Sequence, residues 1–190
     1  MAGGKSRRMG RDKALLAVCG EPLWQRQIRL SLACGATRAF LSVRPGQHLG
    51  GAAVERIEDV RADLGPLSGL ASSLSACRES HLLVLAVDMP LLNEDIIREM
   101  LARCGHDLGI IPHVDGNPQP VSAIYTRRCL DGAVKRLGEN SLAAADWAQE
   151  CVDRGFCLRW DVPAPHSSLF ANWNVPSDMP EPTRHENCGL

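Results

Sequence analysis

A chain of 190 residues, 45% of them hydrophobic, has the length of one domain and enough apolar surface for a core, which excludes wholesale disorder, collagen and coiled coil. Its 21 Lys and Arg stand against 22 Asp and Glu, too even a balance for a coat on nucleic acid. The first thirteen residues carry Lys5, Arg7, Arg8, Arg11 and Lys13 against Asp12, so the amino end is basic, the rest is acidic, and an anionic ligand is expected at that end.

Taken in chain order, Pro22 suits a first helical position, and Leu23, Trp24, Ile28 and Leu32 form an apolar stripe that stops at Gly35. Ala39 to Val43 reads as a short buried strand, and Val54 to Ile57 as a second, followed by Glu58 and Asp59. After Gly65-Pro66, the spacing of Leu67, Leu70, Leu74 and Cys77 predicts a helix. Residues 81–87, His-Leu-Leu-Val-Leu-Ala-Val, are apolar almost throughout, as in a parallel strand covered on both faces. A helix over 92–103 follows, capped by Asn93, with Ile96, Ile97, Met100 and Leu101 facing inward. Leu108 to Ile111 and Val121 to Tyr125 are further strands, with helices near 127–137 and 141–151. Strands alternating with helices of about ten residues imply βαβ units and a doubly wound sheet. One domain over 1–179 is expected, without repeat or linker, and then a loose polar tail over 180–190.

The eight cysteines form no CxxC pair and no metal-ligand spacing with histidine, so reduced, mostly buried thiols of a cytoplasmic protein are expected. No stretch approaches the ~20 apolar residues of a membrane span. The basic amino end lacks the apolar core of a signal peptide. Neither a membrane nor a nucleic acid is an expected partner.

Chemistry concentrates in five segments. Ala2-Gly3-Gly4-Lys5-Ser6-Arg7-Arg8-Met9-Gly10-Arg11-Asp12-Lys13 has glycines that bring backbone N–H groups close to an anion, and cations that neutralise phosphate; the alternative is a flexible basic tail. It has neither Walker nor GxGxxG spacing. Val87-Asp88-Met89-Pro90 sets a carboxylate at the carboxyl end of the strongest strand, where α/β sheets bind ligands and a hard oxygen suits magnesium; the alternative is an Asp capping the turn before proline. Asp59 is likewise strand-terminal, or else a solvated acid beside Glu58. Gly65-Pro66-Leu67-Ser68-Gly69 opens a helix whose amino end either faces an anion or only connects two elements. Asn172 and Asn174, two apart in Phe170-Ala171-Asn172-Trp173-Asn174-Val175-Pro176, share one side if extended; turn formation before proline is the alternative. His113 and Asp115 read as a polar loop rather than a catalytic pair.

The segments at 2–13, 65–69 and 87–90, then Gln119-Pro120-Val121, then the segment at 170–176 resemble, in that order, the molybdenum cofactor guanylyltransferase family of magnesium-dependent nucleotidyltransferases, from the first residue to about residue 178. Ala-Gly-Gly together with Gly-Pro-Leu-x-Gly favours the guanylyl branch over cytidylyl and sugar-nucleotide branches. The resemblance implies a three-layer Rossmann-like fold with a mostly parallel sheet. It implies attack of the terminal phosphate of molybdopterin on the α-phosphate of GTP, with pyrophosphate leaving and the guanine dinucleotide cofactor formed. GTP and molybdopterin are then substrates, Mg2+ the cofactor, and molybdoenzymes or insertion chaperones the candidate protein partners. Residue by residue, Ala2, Gly3 and Gly4 fall against the nucleotide and Lys13 on its phosphates. Asp59 falls at a nucleotide-contacting position, and Asp88 at the magnesium ligand, which makes Lys13 and Asp88 the catalytic pair. Asn172 and Asn174 fall on the pterin side. The competing readings are a transferase for CTP or a sugar phosphate, and a non-catalytic molybdopterin-binding module.

Two departures carry expectations of their own. Leu41-Ser42-Val43-Arg44 stands where the family often has a nucleotide-contacting Asn, so no role is assigned there. The family's glycine loop is preceded by an apolar strand ending in Leu, and here Met1 takes the Leu place, as a misassigned start codon would leave it. The resemblance therefore implies a vacant central strand position and residues 1–4 outside any strand. It also implies poor solubility of the chain as written, relieved by about six apolar residues upstream.

Overall fold

The computed structural model describes residues 1–3, 13–18, 20–47, 49, 54–59 and 64–173. A 3-10 turn at Lys13–Leu15 leads to two short antiparallel strands, β1 (Ala17–Val18) and β2 (Glu21–Pro22), and then to α1 (Leu23–Ala33). The strands β3 (Phe40–Val43) and β4 (Glu55–Glu58) pair in parallel. Helix α2 (Pro66–Ala76), strand β5 (His81–Val84) and helix α3 (Glu94–Arg103) follow, the last capped by Asn93, whose Oδ1 accepts from Ile96 N–H at 3.1 Å. The remaining elements are β6 (Gly109–Val114), β7 (Asn117–Pro118), β8 (Ala123–Thr126), α4 (Leu130–Gly138), α5 (Ala144–Asp153) and β9 (Cys157–Asp161).

Alternation along the strands builds three layers. In β6, Ile110 packs with Leu30 of α1 and with Ile96, Ile97 and Met100 of α3, while Ile111 packs on the opposite face with Leu67, Leu70 and Leu74 of α2 and Trp147 of α5. In β8, Ile124 joins the first group and Ala123 and Tyr125 the second. Trp147 and Tyr125 are fully buried with ring centroids 4.7 Å apart, and their polar tips are satisfied: Trp147 Nε1–H donates to Cys129 O and Tyr125 O–H to Pro120 O. A third cluster (Ala2, Ala14, Leu23, Trp24, Leu41, Val43, Leu49 and Val87) lies under the candidate site.

The fold is the expected α/β arrangement, but its sheet is less parallel than expected. β3–β4 and β6–β9 run parallel, whereas β8 lies antiparallel between β5 and β6, and β7 is a short antiparallel partner of β6. A tight turn at Asp115-Gly116, with φ of 49° and 79°, returns the chain from β6 to β7 and forces that reversal. β9, reached from β6 by way of α4 and α5, was not foreseen, because Arg159 and Asp161 break its apolar pattern; it is half covered, with Cys157 and Trp160 inward. His113 lies on β6, fully buried, not in a loop. Leu32 and Leu101 are exposed; the inward face of α1 instead includes Arg26 and Gln27. The strand expected over 81–87 ends at Val84. Residues 1–3 lie outside any strand. The tail from residue 180 and the upper domain boundary fall outside the described residues. The described cysteines, including buried Cys77, Cys129, Cys151 and Cys157, are free thiols. Among the described residues, no helix is long and apolar enough to cross a membrane.

Candidate active site

The carboxyl ends of β3, β4 and β5 gather the residues that the sequence singled out. Past β4, the Asp59 N–H donates to Val43 O at 3.0 Å, which fixes the backbone, and Asp59 Oδ1 accepts from Ser42 Oγ at 3.1 Å, which fixes the carboxylate. Burial raises the Asp59 pKa; the Ser42 hydrogen bond, the Met1 amine and Arg44 pull the other way. Helix α2 packs its first turn directly on this group. A Cβ on Gly69 would stand 2.7 Å from Ser42 Oγ, 2.8 Å from Asp59 Oδ1 and 2.7 Å from Met1 Cε, so only glycine allows the approach.

The glycine segment begins beside the same carboxylate. Ala2 is buried, its N–H donates to Ser42 O at 2.9 Å, and its carbonyl accepts from Gln47 Nε2 at 3.0 Å. A Cβ on Gly3 would lie 3.2 Å from Asp59 Oδ2 and 3.5 Å from Arg44 Cγ, so the backbone there runs tight against the site. The Met1 amine is buried, donates to Leu85 O at 2.9 Å and feels the charges of Asp88 and Asp59; burial lowers its pKa to about 6.

Asp88 is the second acidic focus. Lys13 Nζ donates to Asp88 Oδ2 at 3.3 Å, closing a contact across 75 positions of sequence. Both side chains are largely shielded, at 14% and 29% exposure, and so lie in a medium where charge acts more strongly than in open water. Two features hold the Asp88 turn. Gln27 of α1 donates through Nε2 to both Ala86 O and Met89 O at 3.1 Å, and Arg26 donates to Leu92 O. From the other side, Trp173 N–H donates to Asp88 O at 2.8 Å, which brings the exposed Asn172 next to the site.

Ala2, Gly3, Lys13, Asp59 and Asp88 thus come together, and Asn172 lies beside them. Gly4 and Asn174 lie outside the described residues. Sequence reasoning missed Ser42, which orients Asp59, and Gln27, which braces the Asp88 turn. A polar residue on the inward stripe of α1 was the available signal for Gln27; for Ser42 there was none, since its role depends on the carboxylate of Asp59, 17 positions away, being brought beside it by the pairing of β3 and β4.

Two carboxylates and a lysine, converging with Ala2 and Gly3 at the carboxyl edge of an α/β sheet, define a nucleotide-handling domain of the Rossmann-like class. The chain belongs to the family of the MobA-like NTP transferase domain, whose sequence profile matches residues 1–152. It is 34% identical to a probable molybdenum cofactor guanylyltransferase of Opitutus terrae, over 94% of this chain and 90% of that protein. Among solved structures, it resembles the molybdopterin-guanine dinucleotide biosynthesis protein A of Archaeoglobus fulgidus, with a TM-score of 0.70 and 20% identity over 93% of this chain and 91% of that one. A nucleotidyl transferase of Methanothermobacter thermautotroptrophicus superposes with a TM-score of 0.71 at 16% identity, over 93% and 90% of the two chains.

Proposed function

We propose that this chain is a guanylyltransferase that joins GMP from GTP to molybdopterin, releasing pyrophosphate. The observation that carries the reading is the Lys13–Asp88 pair, set at the sheet's carboxyl edge beside the glycine segment. A terminal phosphate oxygen of molybdopterin forms the new bond to the α-phosphorus, and the bond from that phosphorus to the bridging oxygen of pyrophosphate breaks. Such a transfer needs alignment and charge neutralisation more than covalent help. Lys13 supplies one positive charge to the phosphates, and the Ala2–Gly3 backbone lies close enough to the site to border the nucleotide. Asp59, oriented by Ser42, faces the nucleotide; Asn172 stands on the acceptor side.

The family implies a magnesium ion, and the donor chemistry fits one. Asp88 offers a hard, partly exposed carboxylate oxygen, and a magnesium ion bound through one protein carboxylate completes its shell with water and substrate phosphates. When bound, the ion would polarise phosphoryl oxygens and offset charge on the leaving pyrophosphate. Lys13 holds the Asp88 carboxylate in its ion pair until phosphates arrive to share that cation.

Asp88→Asn keeps the shape and removes the charge. GMP transfer, followed by pyrophosphate release from GTP, is expected to fall by at least about a hundredfold with circular dichroism unchanged, since metal-borne stabilisation amounts to several kcal/mol. Retention of most activity at saturating magnesium overturns the role of Asp88. Faster turnover with CTP than with GTP overturns the guanylyl reading and selects the cytidylyl one.

A further inference from the structure

The Asp88 carboxylate does not stand on a strand. Strand β5 ends at Val84, and Asp88 is carried by the turn that follows, before α3 begins at Glu94. A side chain on a turn is only as well placed as the turn's backbone, and a carboxylate that must meet a cation needs placement within about 0.5 Å. Inside the turn, Leu92 N–H reaches Met89 O only at 3.5 Å, too long for a strong bond. Trp173 N–H holds the Asp88 carbonyl from one side, which leaves the flanking carbonyls of Ala86 and Met89 to be fixed from elsewhere.

Helix α1 does this. Leu23, Gln27 and Leu30 share its buried stripe at i, i+4 and i+7, so Gln27 occupies a position where packing alone calls for an apolar side chain. Its amide carries two protons, and Nε2 donates to both Ala86 O and Met89 O at 3.1 Å. One planar amide thus ties together the two sides of Val87-Asp88. Arg26 adds a bond from Nη1 to Leu92 O at 3.1 Å, so α1 grips the carbonyls of 86, 89 and 92 in succession. The same helix supports Lys13. Leu23 N–H donates to Leu16 O at 2.7 Å, and Leu16 N–H to Lys13 O at 3.1 Å. Lys13 and Asp88 therefore share one support, and their 3.3 Å contact rests on α1 at both ends.

We infer that Gln27 is a positioning residue of the reaction: by clamping Ala86 O and Met89 O, it holds the Asp88 carboxylate where a divalent cation and the substrate phosphates meet it. The inference rests on the metal-ligand role proposed for Asp88. Gln27 acts through backbone carbonyls, so its loss falls on cation affinity and turnover and spares the nucleotide's own contacts. Groups that orient a metal ligand without touching the metal typically change metal affinity by about ten- to a hundredfold. Packing cannot account for the amide, because an apolar side chain of the same length would fill the stripe without either donation.

The test is binding of Mn2+ to the chain saturated with GDP, followed by electron paramagnetic resonance of the free ion, since Mn2+ takes the same hard oxygen ligands as magnesium. Gln27→Met keeps the length of the side chain and cannot donate. Gln27→Asn stays polar and is one methylene too short to reach both carbonyls. Each is expected to weaken Mn2+ binding at least about tenfold and to lower kcat about as much. The KM for GTP and the metal-free affinity for GDP should stay within about twofold. Val152→Ala, a packing loss on α5, should lower the melting temperature and leave Mn2+ affinity unchanged. Wild-type Mn2+ affinity in either Gln27 variant, or an equal loss in Val152→Ala, makes Gln27 a structural residue only and overturns the inference. Asp88→Asn separates this failure from that of the underlying reading. If it loses Mn2+ while the Gln27 variants do not, the inference alone falls; if it keeps Mn2+, the metal-ligand role of Asp88 falls and the inference with it.

Discussion

The two halves of this molecule are built to different standards of closure. In the half formed by β5 to β9, every strand has a sheet partner, and helices cover both faces, with Tyr125 and Trp147 sealed between α2, α4 and α5. In the half formed by β3, β4 and the first residues, a two-stranded sheet stands beside a cavity and is linked to the rest through Met1, Ala2 and the helices. The candidate site residues sit on the seam: Asp88 extends from the closed half, while Asp59, Ser42, Ala2 and Gly3 belong to the open one. A site on such a seam depends on how rigidly the seam is held, and the contrast between the halves can be measured.

The largest expected difference is in core deletions. Trp147→Ala should destabilise by about 3–5 kcal/mol, because its surroundings are packed on all sides and cannot collapse into the hole. Phe40→Ala, beside the cavity, should cost less, about 1–2 kcal/mol, because that side chain is only partly buried and already borders empty space. Chemical denaturation of both variants checks this; equal losses would mean that the two halves are equally closed.

A smaller effect should appear with pH. The Met1 amine has a pKa lowered from 8.0 to about 6 by burial, against the opposing pull of Asp88 and Asp59. Between those values the unfolded chain binds the proton and the folded chain does not. Stability should therefore rise with pH from 6 to 8, by about 2–3 kcal/mol, and level off above. Acetylation of the amine should flatten the rise. A stability that falls over this window, or a rise untouched by acetylation, would place the seam's titrating group elsewhere.

The smallest effect concerns Lys13, which reaches across the seam to Asp88. Lys13→Ala should weaken GTP and GDP binding about tenfold, as loss of one charge-assisted contact to phosphate would. The preference for GTP over CTP should barely change, because the proposed role of the ammonium is on the phosphates and not on the base. Competition binding with the two nucleotides decides it. A lost preference with affinity retained would make Lys13 a reader of the base.

Much of this was written in local chemistry. Helix α1 begins after Pro22 and ends before Gly35, α2 begins at Pro66, and Asn93 caps α3, because these signals act over three or four residues and need no tertiary context. The run of apolar residues before Asp88 likewise placed a carboxylate past a strand's carboxyl end, although that strand stops at Val84 and Asp88 stands in the turn beyond it. What only the tertiary structure decided were the relations between distant segments. Lys13 meets Asp88 across 75 residues, Ser42 turns Asp59, Gly69 admits α2, and Gln27 braces a turn 59 to 62 residues on; none has a local signature, because each contact forms only once helices and sheet pack. The same holds for strand order and direction. Period-two patterning says which face of a strand is buried but is silent on its neighbour, so β8 between β5 and β6 and β9 beside β6 became visible only in three dimensions.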